Sequence, residues 1–233
     1  MSAGYTFVSE IVGHHKAPLI NAALVAAAVG TVGLIGRASI SKSSNPLVPD
    51  DKLSPRTIFE LLTDFFISLG DSTMGKENRR YLPFIAVLFT YIFFMNIFGL
   101  IPGFVLSTEQ FTINFGVAMV VFVLYNIWGI RAQGLVNYVK HFWGPGLLIG
   151  GGIFVIELVS HSIRPLTLGL RLFGNMTGDH ILLSVFNQLL PYPVASFVAV
   201  PFYMLGTLVS FIQAFVFTLL TMVYIRMAVE HGH

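Results

Sequence analysis

The chain is predicted to be an all-α integral membrane protein, with five membrane-crossing helices and one interfacial amphipathic helix in a single membrane domain over residues 1–233. Three observations predict this. Apolar residues make up 55% of the chain and charged residues 10%, against roughly 25% charge in a soluble domain. Mean hydropathy is +0.79. The apolar residues are gathered into runs near the ~20 residues that a helix needs to cross about 30 Å of hydrocarbon.

The same composition excludes several function classes. There are no cysteines, so disulfides, thiolate metal sites and cysteine nucleophiles are ruled out. A net charge of +2 gives no basis for a nucleic-acid partner or a polybasic membrane-surface mechanism. No His-Glu-x-x-His motif and no serine–histidine pairing at a plausible spacing occurs. No metal and no organic cofactor is expected.

Ala17–Gly36 is the first span. It is longer than the apolar part of a usual signal peptide, and its positive charges, Arg37 and Lys42, follow it rather than precede it. Ala26-Ala-Ala28 resembles a cleavage site, but a retained span is the expected reading. Ser41–Asp50 is a polar linker holding Pro46 and Pro49. Over 54–70, Ser54 followed by Pro55 reads as an N-cap with proline at the first helical position. Ile58, Leu61, Leu62, Phe65, Phe66 and Leu69 then recur at helical spacing. This is the interfacial amphipathic helix, either a docking surface for a partner or a linker back into the membrane.

Residues 82–101 and 111–130 form a central hairpin, with Tyr81, Trp128, Tyr138 and Trp143 near the span ends, where amphipathic aromatics are favoured. Residues 147–190 are apolar but carry Glu157, His161, Arg164, Arg171, Asp179 and His180. As one helix this segment would be about 66 Å long, so it is either broken near Pro165 or steeply tilted. A tilted helix bending at Pro165 is the expectation. Pro191-Tyr-Pro193 is the turn into the last helix, 194–229, which is uncharged from Val194 to Ile225. These two helices form a long tilted hairpin.

Loop charge sets the orientation. Arg37, Lys42, Lys76, Arg79, Arg80, Arg131 and Lys140 all fall in connections on one side, while Pro102–Gln110 and Leu189–Ser196 hold no Lys or Arg. Positive-inside reasoning puts the N-terminus outside and the C-terminus in the cytoplasm.

The polar residues of 147–190 are ordered. Glu157, Arg164 and Arg171 are spaced by seven, and seven residues return a helix to within about 20° of its starting direction. With His161 and Asn175 they lie along one narrow stripe. Glu157 can neutralise His161 or Arg164. Arg171 has no acid three or four residues away. A guanidinium at bilayer depth costs about 3 kcal/mol on insertion scales and roughly 10–17 in simulations, and arginine does not shed its proton. Its counter-ion is therefore expected from another subunit or from a bound anion. His180 lies about 14 Å further along the axis and on the opposite side of the helix, with a side chain suited to proton exchange near neutral pH. Asp179 beside it points to a hydrated acidic mouth. In the last helix Ser210 and Gln213 share a face, and the Gln213 amide could hold a guanidinium.

Arg164-Pro-Leu-Thr-Leu-Gly-Leu-Arg-Leu-Phe-Gly-Asn-Met176, Gly178, and Ile212-Gln-Ala-Phe-Val-Phe217 resemble subunit a of the F-type rotary ATP synthase, of the bacterial type. The resemblance follows the spans in order along the chain and is strongest from Glu157 to Tyr224. It implies that Arg171 is the essential stator arginine facing the carboxylates of a rotating c-ring, between two offset aqueous half-channels. Asn175 and Gln213 match polar positions near that arginine. Glu157 matches an acidic position of the cytoplasmic half-channel, His180 a position of the outer half-channel, and Glu109 an acidic residue of the external loop. Asp179 and His161 are the remaining candidates on the proton path. One departure stands out: the position seven before the glutamine is titratable in some members and is Gly206 here.

The implied partners are the c-ring, a subunit b dimer or b/b′ peripheral stalk, and membrane lipid. Protons are the only small species expected, with Na⁺ the less favoured coupling ion. The implied location is the bacterial inner membrane. By itself the chain would be no enzyme, but a membrane subunit of the proton-transporting two-sector ATPase. The rival reading is a secondary transporter binding an anionic substrate through Arg171. Such carriers commonly show inverted repeats, and none is visible.

Overall fold

The computed structural model describes residues 17–41, 55–100, 111–138, 150–191 and 194–230, and among these no strand occurs. The helices are α1 (Ala17–Ser41), α2 (Pro55–Met74), α3 (Leu82–Leu100), α4 (Phe111–Gln133), α5 (Gly150–Leu189) and α6 (Val194–Glu230), with a 3₁₀ turn, Lys76–Tyr81, leading into α3. Three stretches are long and apolar enough to cross a membrane: Lys76–Leu100, Phe111–Gln133 and Phe197–Val229. The apolar stretch of α1, Leu19–Thr31, is shorter. The protein is thus an all-helical membrane protein.

Side chains from five helices make the core: Phe66 and Met74 of α2, Ile85 and Ile92 of α3, Val121 and Tyr125 of α4, Leu168 and Leu172 of α5, Phe217 and Ile225 of α6. The aromatic contacts fix the directions. Phe186 stacks on Phe202 at 4.7 Å and Asn175 bonds Gln213 at 2.7 Å, so α5 and α6 run antiparallel. Phe93 meets Phe211 at 6.1 Å, and a Cβ on Gly206 would touch the Leu100 side chain at 2.8 Å, so α3 and α6 are antiparallel too.

One end of the bundle is basic and aromatic. The Tyr81 and Phe84 rings lie 4.8 and 5.2 Å from Trp128, Arg80 sits over the Tyr81 ring, and Arg131 lies in the last turn of α4. Arg79 grips Asp71 with two bonds, Nε to Oδ1 at 2.8 Å and Nη2 to Oδ2 at 2.5 Å. Arg226, near the end of α6, donates to the Thr73 carbonyl at 3.0 Å, serving one of the carbonyls that the last turn of α2 leaves without a helical partner.

One segment differs from the sequence reading, and another settles an alternative that the sequence reading left open. The helix expected over 54–70 runs on to Met74, because Phe66, Gly70 and Met74, four apart, are all buried on one face. The segment with two alternatives resolves to a single 40-residue helix, α5, that passes through Pro165 without a break. A proline removes one intrahelical hydrogen bond, and burial of its ring against the bundle offsets that loss.

Candidate functional site

α5 carries its buried face at His161, Pro165, Leu168, Gly169, Leu172 and Met176, which recur at spacings of three and four. It comes close to α4 at Gly169, where a Cβ would stand 3.2 Å from Phe115 Cα. With no side chain there, the two backbones meet. Arg171 is two residues on, about 200° around the helix, and so faces away from α4. It is exposed, as are its apolar neighbours Ile163, Leu166 and Leu170. Among the described residues no carboxylate and no hydrogen-bond acceptor reaches its guanidinium. A permanent cation therefore stands on an apolar outer surface.

One turn further along, Asn175 Nδ2 donates to Gln213 Oε1 at 2.7 Å. Gln213 is buried and its Nε2 has no hydrogen-bond partner among the described residues. The amide expected to hold a guanidinium thus binds Asn175 instead, and it joins α5 to α6 one turn from the arginine.

Glu157, His161 and Arg164 gather at the basic end. Arg164 is 4.0 Å from Glu157 and its guanidinium lies over the Tyr224 ring of α6 at 5.0 Å. His161, read from the sequence as a candidate partner for Glu157, turns to α4: its Nε2 lies 2.8 Å from Asn126 Oδ1. The stripe therefore divides. A helix buried along one side takes His161 inward and leaves Arg171 at the opposite edge.

A cavity of about 20 Å³ opens beside this group, lined by Tyr125, Gln133, Tyr138, Glu157, His161, Arg164, Met227 and Ala228. Asn126, Tyr138 and Tyr224 were missed by sequence reasoning. An amide inside an apolar span, here Asn126, was the signal that could have raised one of them. Asp179 and His180 lie in α5, with side chains outside the described residues, and Glu109 lies outside them altogether. Among the described residues no three His, Asp or Glu side chains come together as a metal site would require.

A family model described as ATP synthase A chain matches residues 20–226. The chain is 42% identical over 233 residues to an ATP synthase subunit a of Bdellovibrio bacteriovorus, covering 100% of both. It is 42% identical over 211 residues to an ATP synthase subunit a of Campylobacter jejuni, covering 88% of this chain and 90% of the relative. Against an ATP synthase subunit a 1 of Syntrophotalea carbinolica it is 46% identical over 165 residues, covering 71% and 68%. Matched along nearly its whole length, the chain belongs to the ATP synthase subunit a family: it is a proton-transport subunit of the membrane stator of the F-type ATP synthase, and not itself catalytic.

Proposed function

We propose that Arg171 is the stator charge against which a ring of c subunits turns, and that two half-channels, offset across the membrane, meet the ring on either side of it. The observation that carries this reading is the exposed guanidinium on an apolar face, without an acid among the described residues of its own chain. A rotor carboxylate supplies the missing anion. A proton arriving by the outer route neutralises that carboxylate, which then turns into lipid. Nearly a full turn later it reaches the inner route and ionises. Arg171 keeps the proton from passing directly between the two routes.

In this reading Asn175 and Gln213 brace the helix pair beside the arginine, while His180 with Asp179, and Glu109 in the external loop, serve the outer route. Glu157 and His161 serve the inner one. The chain crosses the bacterial inner membrane five times, with α1 and the α5–α6 hairpin completing the set and α2 lying at the interface. The basic end, with Arg79, Arg80, Arg131 and Arg226, faces the cytoplasm. The subunit b dimer or b/b′ stalk holds the chain against rotation. A transmembrane potential of 100 mV gives about 2.3 kcal/mol per charge moved, so several protons are combined for each ATP.

The absence of cysteine makes the test direct. A cysteine at Gly174, exposed and one turn from Arg171, should form a disulfide with a cysteine placed beside the rotor carboxylate in the assembled complex. A reactive cysteine at 174 that never joins the rotor would overturn the reading.

A further inference from the structure

The histidine at the basic end is held in one tautomer by residues outside its own helix. Asn126 Nδ2 donates to the Phe122 carbonyl at 2.6 Å, which turns the amide oxygen the other way. That oxygen, Oδ1, receives the Tyr138 hydroxyl at 2.6 Å and lies 2.8 Å from His161 Nε2. An amide oxygen only accepts, so Nε2 carries a hydrogen and Nδ1 is the basic nitrogen of the neutral ring. The imidazole is buried and wedged against Phe122 and Tyr125, with ring centroids 5.1 and 5.5 Å away, so it does not turn over freely.

Tyr138 reaches Asn126 because the chain reverses after α4. Gly134, at φ +81°, takes a left-handed conformation that costs glycine nothing, and its N–H closes the helix on the Ile130 carbonyl at 2.8 Å. The Tyr138 ring then lies over Gly129, where a Cβ would meet it at 2.7 Å. The sequence thus clears a place for the tyrosine and steers it there.

We propose that His161 Nδ1 is a proton-transfer atom on the inner route, with Asn126 and Tyr138 as positioning residues that fix its tautomer and ring. This rests on the rotary reading above and specifies one of its steps. The adjoining cavity, about 20 Å³, has room for water, which needs roughly 10–15 Å³.

A rotor carboxylic acid gives its proton to water and is left ionised. That water passes the proton to Nδ1, making an imidazolium whose Nε2–H still binds Asn126. The same nitrogen then returns the proton to water on the cytoplasmic side. Among the described residues, the charged and titratable groups that face the ring neighbourhood include Glu157 and Arg164 of α5, Tyr125 of α4, Tyr138 after it, and Tyr224 of α6. Arg164, one turn away, repels a second cation and drives the proton onward. Glu157, one turn the other way, draws it toward the end of the bundle.

The test uses the complete synthase in vesicles under a fixed imposed gradient. His161→Gln keeps a donor for Asn126 but has no basic nitrogen. It should leave assembly intact, slow ATP synthesis and ATP-driven proton pumping alike by about 100-fold, the low end of what a positioned acid–base group contributes, and flatten the dependence of the rate on inner-side pH. Asn126→Leu and Tyr138→Phe should shift that pH dependence, the leucine variant more. Wild-type rates and pH dependence in His161→Gln would overturn the proposal. So would Asn126→Leu complexes that assemble in lower yield with an unchanged pH profile. If the Gly174 cysteine joins the rotor and His161→Gln behaves as wild type, this inference falls and the rotary reading stands.

Discussion

Replacing Arg171 with alanine tests how the charge works. Among the described side chains the nearest acid on the same helix is Glu157, fourteen residues away, about 21 Å along the axis. At an effective dielectric of 20 that separation leaves less than about 1 kcal/mol, and Glu157 is already engaged with Arg164. A rotor carboxylate brought to about 4 Å gains roughly 4 kcal/mol at the same dielectric, equivalent to about three pKa units. Without that term the carboxylate facing α5 stays protonated, and its proton can cross between the two routes without rotation. The assay is reconstituted synthase, measuring ATP-driven acidification and the passive decay of a pH gradient in the same vesicles. Arg171→Ala should abolish the first and leave the second at or above wild type. Arg171→Lys should fail as well, since a desolvated lysine sheds its proton. Acidification at the wild-type rate in the alanine variant would refute the reasoning.

Two further predictions concern the scaffold. Gly169→Ala would place a methyl 3.2 Å from Phe115 Cα and 3.4 Å from its nitrogen, backbone atoms that no rotamer change can move. A cost of about 1–3 kcal/mol and a clear loss of pumping are expected, whereas Gly116→Ala, with nothing within 4 Å, should be silent in the same assay. Asp71 is held below its ordinary value of 3.8 by its hydrogen bond with Arg79. The stabilisation is therefore complete above that value and is lost as pH falls through the lower folded one. Hydrogen exchange over 70–81 should be slow at neutral pH and quicken only in strong acid, while Asp71→Asn should exchange quickly at neutral pH.

The spans were legible because hydropathy and length constrain them directly: 82–101 and 111–130 became α3, ending at Leu100, and α4, running on to Gln133. The three extra residues of α4 have a tertiary cause, since Gln133 donates to the Ala228 carbonyl at 2.8 Å and Gly134 supplies the stop. Helical periodicity put Arg171 and Asn175 on one side of α5, where the structure leaves both exposed and bonds Asn175 to Gln213. Periodicity could not say which neighbour each polar group would choose. His161 has Glu157 four residues before it and Arg164 three after, yet it binds Asn126, thirty-five residues away. Partners that arrive from another helix leave no trace in the spacing of the first. Asn126, alone in an apolar run, advertised only that it needed a partner.

The two arginines of α5 make the same point energetically. They are seven residues apart and point in nearly the same direction, but Arg164 has Glu157 at 4.0 Å and the Tyr224 ring at 5.0 Å. Arg171 has nothing comparable among the described residues. The insertion cost of a membrane arginine is thus met within the chain at 164 and not by any described group of the chain at 171, where we assign it to the rotor. One substitution should therefore have opposite signs at the two sites when the chain is made without its rotor. Arg171→Leu removes an uncompensated cation and should raise the protease-resistant yield in membranes. Arg164→Leu takes away the cation 4.0 Å from Glu157 and leaves that carboxylate uncompensated, and should lower that yield. Once the rotor is present, only the Arg171 variant should lose coupling outright. Equal effects of the two changes on the isolated chain would mean that Arg171 already has its counter-ion at home, and the division of labour between subunits would have to be abandoned.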